Sequence, residues 1–174
     1  RMQMKFLADQ GYTTLTMREL LVRAASSTLP QKPVAITFDD GWRSQYEVAL
    51  PILLHYHMTA TFYIYTDVIG SPLFMTIDQL RALTSVHMEI GGHTKHHSKL
   101  SKISPYRYKE ELEDSKKTLE KNLPVQVVDF AYPYGMYNEK VIKALKKYGY
   151  LSGRTSKKGI INDFKDPFDI KVLY

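Results

Sequence analysis

Residues 34–41 read VAITFDDG. Positions 34–38 are apolar and β-rich, too short for a helix, and run without a break into two acids and a glycine. This predicts a buried strand ending in a tight turn. The same construction recurs downstream. Residues 59–65 (TATFYIY) read as a second strand, residues 86–90 as a third that ends at Gly91 and Gly92, and residues 125–131 as a fourth that ends at Tyr132-Pro133-Tyr134-Gly135. Weaker strands are expected at 150–153 and 170–173.

Helical segments separate these runs. Residues 2–8 read as a helix tail closed by a turn at Gly11, and residues 26–33 as a polar loop. Thr16 caps a short helix over 17–23, and Thr76 caps another over 76–83. Ser44 is the expected cap of a helix that Pro51 kinks or limits. Residues 105–122 predict one long charged helix, acids early and lysines late, which suits the helix dipole. Residues 138–148 predict a last helix, closed by Gly149. Strands alternating with helices, without an internal repeat, place the chain in the α/β class with a parallel sheet, closed or open. In such folds chemistry gathers at the carboxyl ends of the strands. Three polar motifs fall there: Asp39-Asp40, residues 93–97 and residues 132–135.

Composition narrows the chemistry. The 174 residues fit a single domain, and 44% of them are hydrophobic, enough for a real core. The chain has 24 basic and 18 acidic residues, net +6, a positive field that favours anionic partners without choosing among them. Absence of cysteine excludes disulfides, thiolate metal sites and cysteine nucleophiles. No apolar run approaches the roughly 18 residues of a membrane span. The 13 tyrosines and the lysines are scattered across elements, so no nucleic acid is expected as a partner. The chain starts at Arg1 inside a helical pattern and is expected to be truncated at its N-terminus, ahead of which a targeting segment would lie.

His93 and His97 stand four apart in GGHTKHH. On a helical turn that spacing puts both imidazoles on one face, where they can bind Zn²⁺ or a similar divalent ion. Thr94, not a glutamate, follows the first histidine, so the base and a third ligand must come from elsewhere. His96 offers an alternative to His97. Asp39 and Asp40 supply what is missing: one carboxylate ligates, and the other takes a proton from water. Alone they would read as turn chemistry. A 2-His-1-carboxylate set serves metal-assisted hydrolysis and also resembles the facial triad of non-haem iron oxygenases; the extra acid beside the ligand favours hydrolysis. In the 132–135 turn, Pro133 and Gly135 fix a sharp bend that can aim a backbone N–H at an oxyanion. Trp42, Tyr132 and Pro133 are the expected substrate contacts, with packing as the alternative reading of each.

Thr37-Phe38-Asp39-Asp40, His93-Thr94-x-x-His97 and Tyr132-Pro133-Tyr134-Gly135, in this order and spacing, resemble the first three motifs of the polysaccharide deacetylases, the NodB homology domains of carbohydrate esterase family 4. The resemblance covers nearly the whole chain. It implies a distorted (β/α) barrel and a divalent metal, zinc first, with cobalt or nickel as alternatives. It implies Asp39 as general base, Asp40, His93 and His97 as metal ligands, the Tyr134 backbone N–H as oxyanion donor, and Thr94 as an orienting residue. The implied substrate is an N-acetylated polysaccharide, whether poly-N-acetylglucosamine, peptidoglycan or a chitin-like chain, and the implied location is extracellular or at the cell surface.

Two departures stand out. Ala131 occupies the place where the third motif usually opens with an arginine that holds the base. That form resembles the poly-N-acetylglucosamine deacetylase branch, and Lys171 is the expected substitute. The family's Leu-x-His motif, which carries the general acid, has no copy after residue 135; in that branch the histidine lies near the N-terminus, in a segment that would precede Arg1. These departures keep a catalytically silent glycan-binding module of the same fold open.

Overall fold

The computed structural model describes residues 2–161 and 164–173. Two strands, β1 (Thr13–Leu15) and β2 (Pro33–Ala35), pair in parallel. Six more form a second parallel sheet in strict sequence order: β3 (Thr37–Phe38), β4 (Thr61–Ile64), β5 (Glu89–Gly92), β6 (Asp129–Ala131), β7 (Ser152–Lys158) and β8 (Ile170–Val172). Strand order equal to chain order means that every crossover turns the same way, so the sheet curls. Among the described residues no ladder joins β8 to β1. Instead Ile170 shares an apolar cluster with Leu15, Met17 and Leu20. The result is the distorted (β/α) barrel that the family resemblance implied, open on one side.

The helices are α1 (Met2–Asp9), α2 (Met17–Ala25), α3 (Leu50–His55), α4 (Ile77–Ser85), α5 (Ser115–Asn122) and α6 (Glu139–Lys147). Thr16 with Glu19, and Thr76 with Gln79, form complete capping boxes, and Asn138 caps α6. Each satisfies N–H groups that the first helical turn leaves without partners. His57, His87 and Gly149 follow helix ends at positive φ, the usual left-handed stop.

Several expectations change at this level. The strand over 34–38 is two strands, interrupted at Ile36, whose carbonyl accepts from Thr61 N–H. β1 was not expected, and β5 starts later than residue 86 because His87 belongs to the end of α4. Ser44 makes no side-chain cap; residues 45–49 form a π-turn, and α3 begins there, with Pro51 in its first turn. The predicted helix over 105–122 breaks into a 3₁₀ turn (Pro105–Arg107), a π-helical stretch (Lys109–Asp114) and α5. Wide turns of this kind recur near functional sites.

The sheet positions the chemistry through its alternation. Phe62 and Ile64 of β4 pack outward into the main core with Leu80, Leu83 and Ile90. Thr61 and Tyr63 point the other way, into the barrel. The register pairs Thr61 with Glu89, Tyr63 with Gly91, Asp129 with Ser152 and Ala131 with Arg154, and side chains along a strand alternate faces. The barrel interior is therefore a polar column. Gly91 is required there: a Cβ would lie 2.4 Å from the buried Tyr63 ring.

Candidate functional site

Adjacent residues in an extended strand face opposite ways. Asp40 ends that alternation with φ 76°, so the turn after β3 can present both Asp39 and Asp40 to the open end of the barrel. Asp40 Oδ1 lies 3.5 Å from His93 Nε2 and 3.3 Å from His97 Nε2. The His93 Nδ1 sits 2.7 Å from the Ala131 carbonyl oxygen. A carbonyl only accepts, so Nδ1 carries the hydrogen and Nε2 keeps its lone pair for a ligand. Trp42 donates its indole N–H to Asp40 Oδ2 at 3.1 Å. Hydrogen bonds with His93 first, then His97, outweigh burial and hold the Asp40 carboxyl well below the usual carboxylate range.

This donor set fits a divalent ion. An ion bound tetrahedrally at about 2.0–2.1 Å puts neighbouring ligand atoms about 3.3 Å apart, close to the two separations found. Two imidazoles and one carboxylate leave coordination positions open. The segment between the histidines is a loop, not the expected helical turn. Thr94 (φ 70°) and His97 (φ 56°) are both left-handed, and they bend the chain back so that His97 meets Asp40. His96, the alternative ligand, turns instead to Glu111, with its Nδ1 3.0 Å from Oε1.

Asp39 has a cationic partner that sequence reasoning missed. Arg154, almost fully buried on β7, donates to Asp39 Oδ1. Its guanidinium also lies over the Tyr63 ring, 5.1 Å from the centroid. Arg154 pairs in register with Ala131, so the guanidinium absent from β6 is supplied by the neighbouring strand. Lys171 was the expected substitute. That expectation is corrected: Lys171 is exposed on β8, next to Gly159. The signal in the sequence was a single arginine in SGRTSKK, beyond where the strand was expected to end.

The turn after β6 is tight. Tyr134 is left-handed (φ 58°, ψ 13°) and its carbonyl accepts from Ser156 Oγ at 3.3 Å. The exposed Tyr134 ring meets His97 edge-on at 4.7 Å, and Lys99 Nζ lies 4.7 Å over it. Rings continue from His97 to Tyr65 (5.3 Å), from Tyr65 to Phe74 (5.6 Å) and from Phe74 to Trp42 (4.4 Å). An aromatic wall thus runs along the site, with Trp42 half-exposed within it. Tyr132 and Pro133 are not part of that wall. Both are buried; Tyr132 stacks on Tyr137 at 4.6 Å and donates to the Phe168 carbonyl. Their expected contact with substrate is corrected to a packing role, because the rigid turn needs its base in the core.

The family described as polysaccharide deacetylase matches residues 26–153. The protein YxkH of Bacillus subtilis (strain 168) is 36% identical over 157 residues, which cover 90% of this chain and 56% of YxkH. Poly-beta-1,6-N-acetyl-D-glucosamine N-deacetylase of Staphylococcus aureus (strain MRSA252) is 32% identical over 165 residues, covering 87% of this chain and 57% of that protein. The chain thus spans little more than half the length of these relatives. Among solved structures, the Streptococcus pyogenes deacetylase PplD in complex with acetate superposes with a TM-score of 0.90 at 32% identity, over 98% of this chain and 78% of that one.

Proposed function

Because the chain belongs to the polysaccharide deacetylase family, we propose that it is a metal-dependent hydrolase that removes N-acetyl groups from an N-acetylglucosamine-containing polysaccharide, poly-N-acetylglucosamine first, at or beyond the cell surface. One observation carries this reading: Asp40, His93 and His97 converge on one point, and the adjacent Asp39 is held by Arg154. The names of the staphylococcal relatives support the substrate class.

Asp40 Oδ1 and the Nε2 atoms of His93 and His97 would hold the ion, zinc first, with cobalt or nickel as alternatives; when bound it polarises a carbonyl and makes water a nucleophile near neutral pH. The residues of the chain do the rest. Asp39 accepts the proton of the attacking water at its carboxylate, and Arg154 keeps that carboxylate aimed. A positioned base of this kind contributes about 10²–10⁴-fold. The Tyr134 N–H, set by the left-handed turn, donates to the acetamide oxygen as negative charge develops there. The water oxygen joins the acetyl carbon, and the proton taken by Asp39 passes to the departing nitrogen as the C–N bond breaks. Acetic acid and the amine leave, their proton exchange giving acetate and the ammonium form. Trp42 and Tyr134 offer ring faces to the sugars. Arg154 restores the partner that Ala131 removes, so that departure loses its force as an argument for a silent binding module.

The test is free-amine release from poly-N-acetylglucosamine and from chitin oligomers by the full-length protein, with Zn²⁺, Co²⁺ or Ni²⁺ supplied. Asp39→Asn is expected to bind metal normally and to lose about 10²-fold or more in rate. A wild-type rate in that variant would sink the base assignment. Absence of release from every N-acetylated polymer would sink the function.

A further inference from the structure

The loop that carries His97 is strained. Thr94 is β-branched, fully buried and left-handed, and His97 is left-handed as well. Such residues persist only where their surroundings over-determine them. The loop carbonyls are held from one side: Thr94 O accepts from Thr66 N–H at 3.2 Å and Lys95 O from Asp67 N–H at 3.0 Å.

Its N–H groups are held from the other side by one buried carboxylate. Glu111 Oε2 accepts from the backbone N–H groups of Lys95 (3.2 Å) and His96 (3.1 Å). Glu111 Oε1 accepts from Ser98 Oγ (2.7 Å) and Arg107 (3.1 Å), with His96 Nδ1 3.0 Å away. Burial alone would raise this carboxyl; the hydrogen bonds from Ser98 and His96 outweigh it and hold it below its ordinary value. Together with Glu110 and His96, Glu111 has the composition of a second metal centre. However, Lys95 Nζ already lies 2.9 Å from Glu110 Oε1, and Arg107 contacts both acids. The positive charge an ion would bring is already supplied by side chains.

We propose that Glu111 is a positioning residue for the Asp40–His93–His97 centre, fixing the backbone of residues 94–98 so that His97 Nε2 meets Asp40. This rests on the metal-hydrolase reading above. Glu111 sits in the π-helical stretch, which gives the segment from 105 to 122 a structural reason to depart from a regular helix.

The experiment compares wild type with Glu111→Ala and Glu111→Gln by two readouts besides activity. One is amide exchange in metal-free protein; the other is the Co²⁺ dissociation constant with its visible spectrum. In Glu111→Ala, exchange at Lys95 and His96 is expected to accelerate at least about 10-fold while β4 and β6 stay protected, and cobalt affinity to fall about 10–100-fold with an altered spectrum. Glu111→Gln keeps one accepting oxygen and is expected to lie between. A Glu111→Ala protein that melts cooperatively and binds cobalt with wild-type affinity and spectrum would overturn the proposal. If Glu111→Ala shows no cooperative melting, Glu111→Gln decides by the same criteria. Wild-type protein that bound no cobalt would bring down the metal reading itself, and this inference with it; equal binding by wild type and variants would bring down this inference alone.

Discussion

Arg154, on β7, donates to Asp39 at the end of β3, across 115 residues of sequence. The ladder sets this contact up: β6 and β7 pair Ala131 with Arg154, and a small side chain at 131 suits a long one beside it. Arg154→Met is expected to lower kcat about 10²-fold, the scale of an ångström-level misplacement of a catalytic group. Cobalt affinity should stay at the wild-type value, because Asp40 and the histidines are untouched. Steady-state rates at saturating metal, alongside metal titration, check this; an unchanged kcat would remove Arg154 from the mechanism.

Metal binding should appear as stability. An ion that binds only the folded chain adds about 2.7 kcal/mol at 100 times its Kd, which for a domain of this size raises the melting temperature by about 5–10 °C. Chelation should reverse the rise, and His93→Ala or Asp40→Ala should abolish it. Thermal melts with and without Zn²⁺ read this directly. An equal rise in the His93→Ala protein would place the ion elsewhere.

The barrel interior carries a pH-sensitive acid. Glu89 faces Asp129, and burial first, then hydrogen bonding to Asp129, pushes its carboxyl up to about 8. Asp129 Oδ2 is buried without a donor, which a protonated Glu89 would supply. A folded-state value above the unfolded one means that this stabilisation is fully present below the ordinary carboxylate range and is lost as pH climbs through about 8. The melting temperature should therefore fall between about pH 5 and about pH 9 through this group. Glu89→Gln should flatten that slope. If melting curves of the variant and the wild type kept the same pH slope, Glu89 would not be the group responsible.

Gly135 closes the 133–135 turn at φ 65°, against β7. An added Cβ would lie 1.9 Å from Ser156 Oγ and 2.7 Å from Ser156 N. Gly135→Ala is expected to lose roughly 2–4 kcal/mol from overpacking and backbone strain together. Adding Ser156→Ala should not restore it, since the backbone nitrogen stays in place. Denaturant unfolding of the single and double variants measures both. Full rescue by the double variant would mean that only the hydroxyl stood in the way.

The elements of the fold were legible wherever the signal was local. Thr16 and Thr76 mark helix starts because a capping box closes within three residues. TATFYIY marks a strand because a parallel sheet buries both faces, so the run stays apolar. The long helix over 105–122 was misread because acids early and lysines late suit the dipole of any helix and do not say whether the turns close at four residues or at five. The selection at five accompanies Glu111 reaching the loop after β5.

At the site, residue chemistry named Asp39, Asp40, His93 and His97, since metal ligands and bases draw on few residue types, and the family resemblance added Tyr134. The structure brings Asp40, His93 and His97 together, with Tyr134 against His97. Tyr132 and Pro133 were misassigned because an aromatic or proline in a turn reads alike whether its face is wet or buried.

The sequence by itself determined the strand–helix alternation, the helix starts and the types of group available for chemistry, because each depends on neighbours a few residues apart. Only the tertiary structure decided that Arg154 holds Asp39, that Glu111 holds the His97 loop, that Trp42 binds Asp40 and that residues 93–97 bend as a left-handed loop. The physical reason is register. Which side chains share the barrel's interior depends on how strands distant in sequence align, and a one-residue shift in any ladder would turn Arg154 away from Asp39.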